Sequence, residues 1–129
     1  MIQKSTRTEK VDKMADKHAE TIMVRGSHAP RGEQGEHLLV NGERMALRLW
    51  IHEKVGTTSP EHSNPYEYVA YVVSGRLRLT LNGHSFEAGK GDSYCVPANS
   101  KYSLEILEEA MVVEATSPSD RGANTLPEK

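Results

Sequence analysis

The pattern of polar and apolar residues along the chain changes near residue 36. Before that point the sequence is polar and charged, and only the segment KVDKMADKHAETIMV carries apolar residues at roughly helical spacing. The segment GSHAPRGEQGE that follows is rich in residues that favour turns. We therefore predict that residues 1–35 form a polar N-terminal arm, which either lies against the rest of the protein or frays.

The remainder of the chain consists of short apolar runs separated by turn signals, a pattern typical of antiparallel β domains. The dipeptides Asn41-Gly42 and Asn82-Gly83 predict two tight hairpins, because this pair accepts positive φ angles easily. A further turn is expected at Gly75. We expect an all-β domain of about eight or nine short strands.

The polar segment SDRGANTLPEK at the end of the chain has too few apolar residues to predict a strand. The sequence thus divides into the arm at residues 1–35, a β domain at residues 36–118 and a C-terminal tail at residues 119–129. The tail is expected to be loosely attached or disordered.

Composition excludes several classes of function. A chain of 129 residues with a net charge of -2 has no general attraction to nucleic acids or anionic membranes. The lone Cys95 cannot form an internal disulfide, and the N-terminus lacks the apolar stretch of a secretory signal. No apolar run approaches the roughly 18 residues that a membrane-spanning helix needs. We expect a cytoplasmic, soluble protein that binds neither nucleic acid nor membranes.

The stretch from Leu38 to Pro118 resembles the cupin superfamily. Cupins carry a first motif that ends in Glu, six residues and Gly, and a second motif that begins with Gly, five residues and Pro. Gly75 fits the end of the first motif, and Gly91 and Pro97 fit the start of the second. The resemblance implies a double-stranded β-helix, a jelly-roll-like barrel that opens at one end to a pocket. It also implies a homodimer, because cupins usually bury one sheet face against a second copy.

The resemblance places four candidate metal-ligand positions at His62, Asn64, Tyr68 and Tyr102. Metal-binding cupins usually have His, His, Glu or Gln, and His there, so only His62 is a usual ligand. An amide oxygen binds transition metals weakly, and a phenol has a reference pKa near 10. We therefore expect no metal cofactor. The alternative is iron, manganese, zinc or nickel held by His62, Tyr68 and Tyr102, with His52 as a further candidate ligand.

The run MALRLWIHE alternates between an apolar face and a mixed face: Met45, Leu47, Leu49 and Ile51 against Ala46, Arg48, Trp50 and His52. If the mixed face lines the pocket, Arg48 would hold a carboxylate or phosphate and Trp50 would form an apolar wall. If it is the outer face, Trp50 would pack under the arm or in a dimer contact. The alternation alone does not choose between these arrangements.

The leading hypothesis for function is a small-molecule-binding protein that does not depend on a metal. Its pocket would consist of His62, Asn64, Tyr68, Tyr102, Arg48 and Trp50, with the phenols either donating hydrogen bonds or filling the barrel. One alternative is a metal-dependent lyase, isomerase or dioxygenase that acts on a small organic acid. Another is a structural or regulatory dimer with a closed pocket. The ligand, and whether there is any catalysis, cannot be read from the sequence.

Overall fold

Six antiparallel strands make up most of residues 22–121, the part of the chain that the computed structural model describes. In chain order they are β1 (His37–Asn41), β2 (Ala46–His52), β3 (Glu67–Leu81), β4 (His84–Gly89), β5 (Ser93–Val96) and β6 (Tyr102–Ser117), preceded by a short 3-10 helix at Gly26–His28. The strands are hydrogen-bonded in the order β1-β2-β6-β3-β4, and β5 pairs with β3. The segment with helical spacing in the predicted arm lies almost entirely outside the described residues.

Two strands are longer than the sequence predicted, so the expectation of eight or nine strands was wrong. β3 and β6 run side by side from the pair Glu67 and Ser117 to the pair Leu81 and Tyr102. The first half of β3 also pairs with β5, and the second half pairs with β4. Shifts in register near Ser74 mark the bend between the halves. Both long strands therefore run through one six-stranded sheet, which folds at this bend into the expected jelly-roll-like barrel.

Gly75 lies at this bend, with a φ angle of 86°. A Cβ atom at this position would overlap the Glu109 carbonyl oxygen of the neighbouring strand β6. The turn that the sequence predicted at Gly75 is therefore a bend within one continuous strand. Glycine is required because it accepts the positive φ angle and lets the two backbones approach closely.

The barrel core follows the alternation of the strands. Leu77 and Leu79 of β3 are fully buried, as their spacing predicted. On β2 it is the mixed face that points inward, so that Arg48 is only 6% exposed, whereas Ile51 of the apolar face is 42% exposed. The expectation that the more apolar face of a strand is its core face therefore does not hold for β2. The reason is that the barrel interior accommodates paired polar groups, described below.

The structure confirms one of the two predicted tight hairpins. Asn82 and Gly83 both have positive φ angles, of 49° and 88°, as a two-residue turn of this type requires. By contrast, Asn41 ends β1 and residues 42–45 form a longer connection, closed by a hydrogen bond from Gly42 N to Met45 O at 2.7 Å. Asn41 also makes a tertiary contact, since its side-chain oxygen accepts a hydrogen bond from the Ser119 hydroxyl.

The structure describes only residues 119–121 of the predicted tail, and it attaches them to the barrel. The Arg121 guanidinium donates hydrogen bonds to Leu39 O of β1 at 3.0 Å and to Leu47 O of β2 at 2.8 Å. Ser119 is 8% exposed. This part of the chain beyond β6 therefore covers one end of the β1–β2 hairpin.

The close approach at Gly75 can be tested by a pair of alanine substitutions. Gly75→Ala should destabilise the fold by about 3 kcal/mol or more, because the new methyl group overlaps backbone atoms that cannot move independently. Gly83→Ala is the matched control: Gly83 has a similar φ angle, but no atom lies within 4 Å of the added Cβ. It should cost only about 1 kcal/mol. Equal urea midpoints for the two variants would contradict this account of the bend.

Candidate functional site

A partly open cavity of about 660 Å³ occupies one end of the barrel. Its walls come from the inward faces of β2, β3 and β6, from residues 57–66 and from residues 32–36 before β1. The structure brings every residue of the predicted pocket to this cavity, namely Arg48, Trp50, His62, Asn64, Tyr68 and Tyr102, together with His52. Whether they bind a ligand stays a prediction.

One wall of the cavity is an aromatic surface on β2. Trp50 and His52 are two residues apart on the same face of the strand, so their side chains project in the same direction. Their rings lie 5.4 Å apart between centroids and are nearly parallel, at 6°. Burial lowers the pKa of His52, which favours a neutral imidazole at this wall. The mixed face of β2 therefore lines the cavity.

A buried ion pair forms the base of the same wall. Arg48 Nε donates to Glu114 Oε1 at 2.6 Å, and Arg48 Nη1 donates to Asp120 Oδ2 at 3.0 Å. Trp50 Nε1 donates to the same Glu114 oxygen at 2.9 Å, and Arg48 Nη1 also contacts the Tyr66 hydroxyl at 3.2 Å. The guanidinium of Arg48 also packs 5.3 Å from the centroid of the Tyr68 ring. Arg48 is thus held by groups of its own chain.

The electrostatics of this pair reflect its burial. Burial alone would lower the pKa of Arg48, but the neighbouring Glu114 carboxylate and Tyr66 hydroxyl raise it above its ordinary value, so Arg48 remains charged. Burial raises the pKa of the Glu114 carboxyl, and Arg48 opposes this effect. The pair therefore persists because each charge compensates for the desolvation of the other.

Glu114 and Asp120 are cavity residues that the sequence analysis missed. Glu114 lies in the run AMVVEAT, where both faces of the strand are mostly apolar, so the alternation does not show which face is inside. The signal that could have found Glu114 is a charge in an apolar strand, because such a charge needs an opposite charge in a neighbouring strand. Arg48 stands directly opposite Glu114 in the β2–β6 register.

His62, Asn64 and Tyr102 form a second polar group at the cavity. A short β bridge joins His62 to Tyr102 through two backbone hydrogen bonds of 3.0 and 2.8 Å. His62 Nδ1 lies 2.8 Å from Pro60 O; since a carbonyl can only accept, Nδ1 is the donor in this contact, and Nε2 is the ring nitrogen that has no partner among the described residues. Asn64 Nδ2 donates to the Tyr102 hydroxyl at 2.9 Å.

The cupin family model, described as "Cupin domain", matches residues 49–115. This chain belongs to the cupin family. The match covers β2 to β6 almost completely and includes most of the residues at the cavity.

Solved structures of other proteins have the same fold. The cupin is similar to an RmlC-like cupin from Shewanella frigidimarina, with a TM-score of 0.68, 18% identity and coverage of 76% of this chain and 91% of the other. It is similar to KdgF from Halomonas sp., with a TM-score of 0.65, 17% identity and coverage of 74% and 91%. At such identities the likeness concerns the fold alone. Among curated proteins, none matches the sequence.

The structure also allows a test of whether this cupin's residues suit a transition metal. The four positions aligned with metal ligands are close together, with the His62 and Tyr102 ring centroids 4.3 Å apart and those of Tyr68 and Tyr102 5.6 Å apart. However, burial raises the pKa of both Tyr68 and Tyr102, so neither phenol readily becomes a phenolate ligand. The described residues contain no cluster of three or more His, Cys, Asp or Glu side chains that could hold a metal ion. This donor set does not fit a transition metal, and the lack of a metal cofactor stays a prediction.

Two tyrosines in the described part of the barrel have buried hydroxyl groups without hydrogen-bond partners. The hydroxyl groups of Tyr68 and Tyr94 are buried and make no hydrogen bond of normal geometry within the described residues. Phenols can fill the base of the cavity at a cost in unsatisfied hydrogen bonds.

Over the described residues, no helix has the length and apolar character needed to cross a membrane.

The buried pair can be tested by removing one charge at a time. Arg48→Met should destabilise the cupin by about 3–5 kcal/mol, because it leaves Glu114 buried without its partner. Glu114→Gln should cost a similar amount, and the double variant should cost clearly less than the sum of the two. Chemical denaturation of all three proteins measures these differences.

A matched control is Arg78→Met. Arg78 also forms ion pairs, with Glu87 and Glu105, but its side chain is 38% exposed. Solvent screening should limit its effect to about 1 kcal/mol or less. If Arg48→Met were no more destabilising than Arg78→Met, the buried pair would not have the structural role assigned to it.

Proposed function

We propose that this cupin binds a small organic molecule inside its barrel and that binding does not require a metal. The observation that carries the proposal is the cavity of about 660 Å³, a size within the range of small-molecule sites. Polar groups with unused hydrogen-bonding capacity line it, among them Nε2 of His62. A dimer with only a structural or regulatory role would have no need for an open cavity of this kind.

The metal-dependent alternative, a lyase, isomerase or dioxygenase acting on an organic acid, has less support. Of the four aligned positions only His62 supplies a usual ligand, and the raised pKa of Tyr102 disfavours a phenolate. Arg48, the cation best placed to hold an organic acid, is already paired with Glu114 and Asp120. Binding without a metal is therefore the better-supported function.

The proposed function can be tested by a thermal-shift screen of a metabolite library on EDTA-treated protein purified without a histidine tag. Compounds that bind should raise the melting temperature, because they bind the folded state alone. Leu104→Trp, which places a larger side chain in the cavity wall, should abolish these shifts. Val55→Trp is the control, since Val55 is 58% exposed and is not part of the wall.

Two outcomes would contradict the proposal. Shifts that vanish after EDTA treatment and return with added iron, manganese, zinc or nickel would favour the metal-dependent alternative. Shifts that persist in Leu104→Trp would place binding outside the barrel.

We also propose that the cupin pairs with a second copy through the outer face of β2, β5, the first half of β3 and the second half of β6. From Met111 onward in β6, and in the other segments of this face, the outward positions carry no charged side chain apart from Glu67 at the start of β3: Leu47, Leu49, Ile51, Val69, Tyr71, Val73, Ser93, Cys95, Met111, Val113 and Ala115. Tyr71 is 51% exposed and Val69 is 49% exposed. An apolar patch of this kind is typical of an interaction surface.

The other outer face of the same long strands is different. Beyond Gly75, Arg76 and Arg78 of β3 point outward and form exposed ion pairs with Glu87, Glu105 and Glu108. The charges are thus confined to one outer face. A second copy suits the uncharged face because a two-fold rotation places the same apolar surface against itself.

The dimer can be tested by adding a charge to each face in turn. Light scattering at micromolar concentration should give twice the 14.3 kDa mass of one chain for the unmodified protein. Tyr71→Glu should reduce the mass toward that of one chain, because it would bury an unpaired carboxylate. Ser85→Glu, on the charged face, should leave the dimer intact. A single-chain mass for the unmodified protein would refute the proposal.

A further inference from the structure

The charged groups at the cavity largely neutralise one another. Arg48 uses Nε and Nη1 for Glu114 and Asp120, so no two adjacent nitrogens remain free to hold a carboxylate or phosphate by paired hydrogen bonds. Arg121 contacts Asp120 at 3.3 Å and donates its terminal nitrogens to backbone carbonyl oxygens.

The other charged residues that line the cavity, Glu33 and Glu36, are acidic, and both are more exposed than Arg48 and Glu114. A negatively charged molecule would therefore meet no uncompensated cation in the cavity and two further carboxylates in its wall. The charge distribution favours an uncharged ligand.

The aromatic wall defines the shape of the space beside it. The Trp50 and His52 rings are stacked on each other with their planes 6° apart, and Trp50 is fixed by its hydrogen bond to Glu114. Leu104 and Ile106 of β6 add apolar surface to the same cavity. A flat ring can stack on such a wall with little loss of conformational freedom.

His62 and Tyr102 define the polar groups that a ligand would need. His62 Nε2 makes no hydrogen bond to the described residues, and in the tautomer that carries its proton on Nδ1 it can accept one. The Tyr102 oxygen already accepts a hydrogen bond from Asn64, so its own O–H group can donate. The two rings are 4.3 Å apart between centroids, close enough for one ligand group to reach both. An amide has the required N–H donor and C=O acceptor next to each other.

We propose that the barrel takes an uncharged, planar molecule that carries an amide or an amide-like edge, such as an aromatic carboxamide or a lactam-containing heterocycle. The ring of the ligand extends the stack formed by Trp50 and His52, and the amide edge contacts His62 and Tyr102. This inference rests on the proposed function, since it assumes that the barrel binds a small molecule.

The test compares nicotinamide with nicotinate, which share a ring and differ in charge. Trp50 is the only tryptophan of the chain, so its fluorescence reports directly on the cavity. Nicotinamide should quench this fluorescence saturably, in contrast to the linear quenching of simple collisions. Nicotinate should bind more weakly by about tenfold or more, which corresponds to about 1.4 kcal/mol.

A conservative substitution tests the polar edge. Tyr102→Phe keeps the ring and removes only the hydroxyl, and it should weaken nicotinamide binding by about fivefold. Ser85→Ala is the control, because it also removes one hydroxyl and Ser85 lies on the charged outer face, away from the cavity. Its affinity should equal that of the unmodified protein. Thermal melting of both variants verifies that they are folded.

The outcomes separate this inference from the proposed function. Nicotinate that binds as tightly as nicotinamide, or an absence of saturable quenching by nicotinamide, overturns the ligand class. Thermal-shift hits that are lost in Leu104→Trp would then still support small-molecule binding in the barrel. An unchanged affinity in Tyr102→Phe overturns the assigned polar edge. If no compound of the metabolite library shifts the melting temperature either, the proposed function is contradicted together with this inference.

Discussion

The buried contact between Arg48 and Glu114 constrains the arrangement of the barrel more than any other interaction. The two residues are directly opposite each other on β2 and β6, so the pair fixes the register of these strands. A slip of one residue would turn Arg48 to the outer face and leave Glu114 buried without a partner, which costs several kcal/mol. Asp120 extends the pair to the segment that follows β6 and connects that segment to the cavity.

The bend at Gly75 has a different role, because it separates the two chemical environments of β3 and β6. Before the bend, the inner face of β3 carries Tyr68 and the outer face is apolar. Beyond it, the inner face carries Leu77 and Leu79, which are fully buried, and the outer face is charged. The leucines belong to the packed core, whereas polar and aromatic side chains of β2, β3 and β6 surround the cavity. One glycine thus permits a strand pair to form both the packed core and the open site.

The features of the fold and of the site that could be predicted from the sequence are those that depend on local patterns of residues. The all-β domain, the Asn82-Gly83 turn and the burial of Leu77 and Leu79 follow from alternation and turn chemistry, and the motif spacing led to His62 and Tyr102. The continuity of β3 could not be predicted, because a glycine that ends a strand and one that bends it look alike in sequence. Nor could Glu114, since its inward position depends on a partner in a distant strand.

The polar interior and the unusual ligand positions have a common physical consequence. Replacing imidazoles and a carboxylate by Asn64, Tyr68 and Tyr102 removes the negative and metal-binding groups from one side of the barrel. On the other side, Glu114 and Asp120 compensate the charge of Arg48. Both features leave the cavity with neutral donors and acceptors beside an aromatic wall. Such a cavity gains most of its selectivity from its shape and from its unpaired donors and acceptors. A ligand that leaves one of these groups without a hydrogen bond binds more weakly, because the group has lost its contact with water.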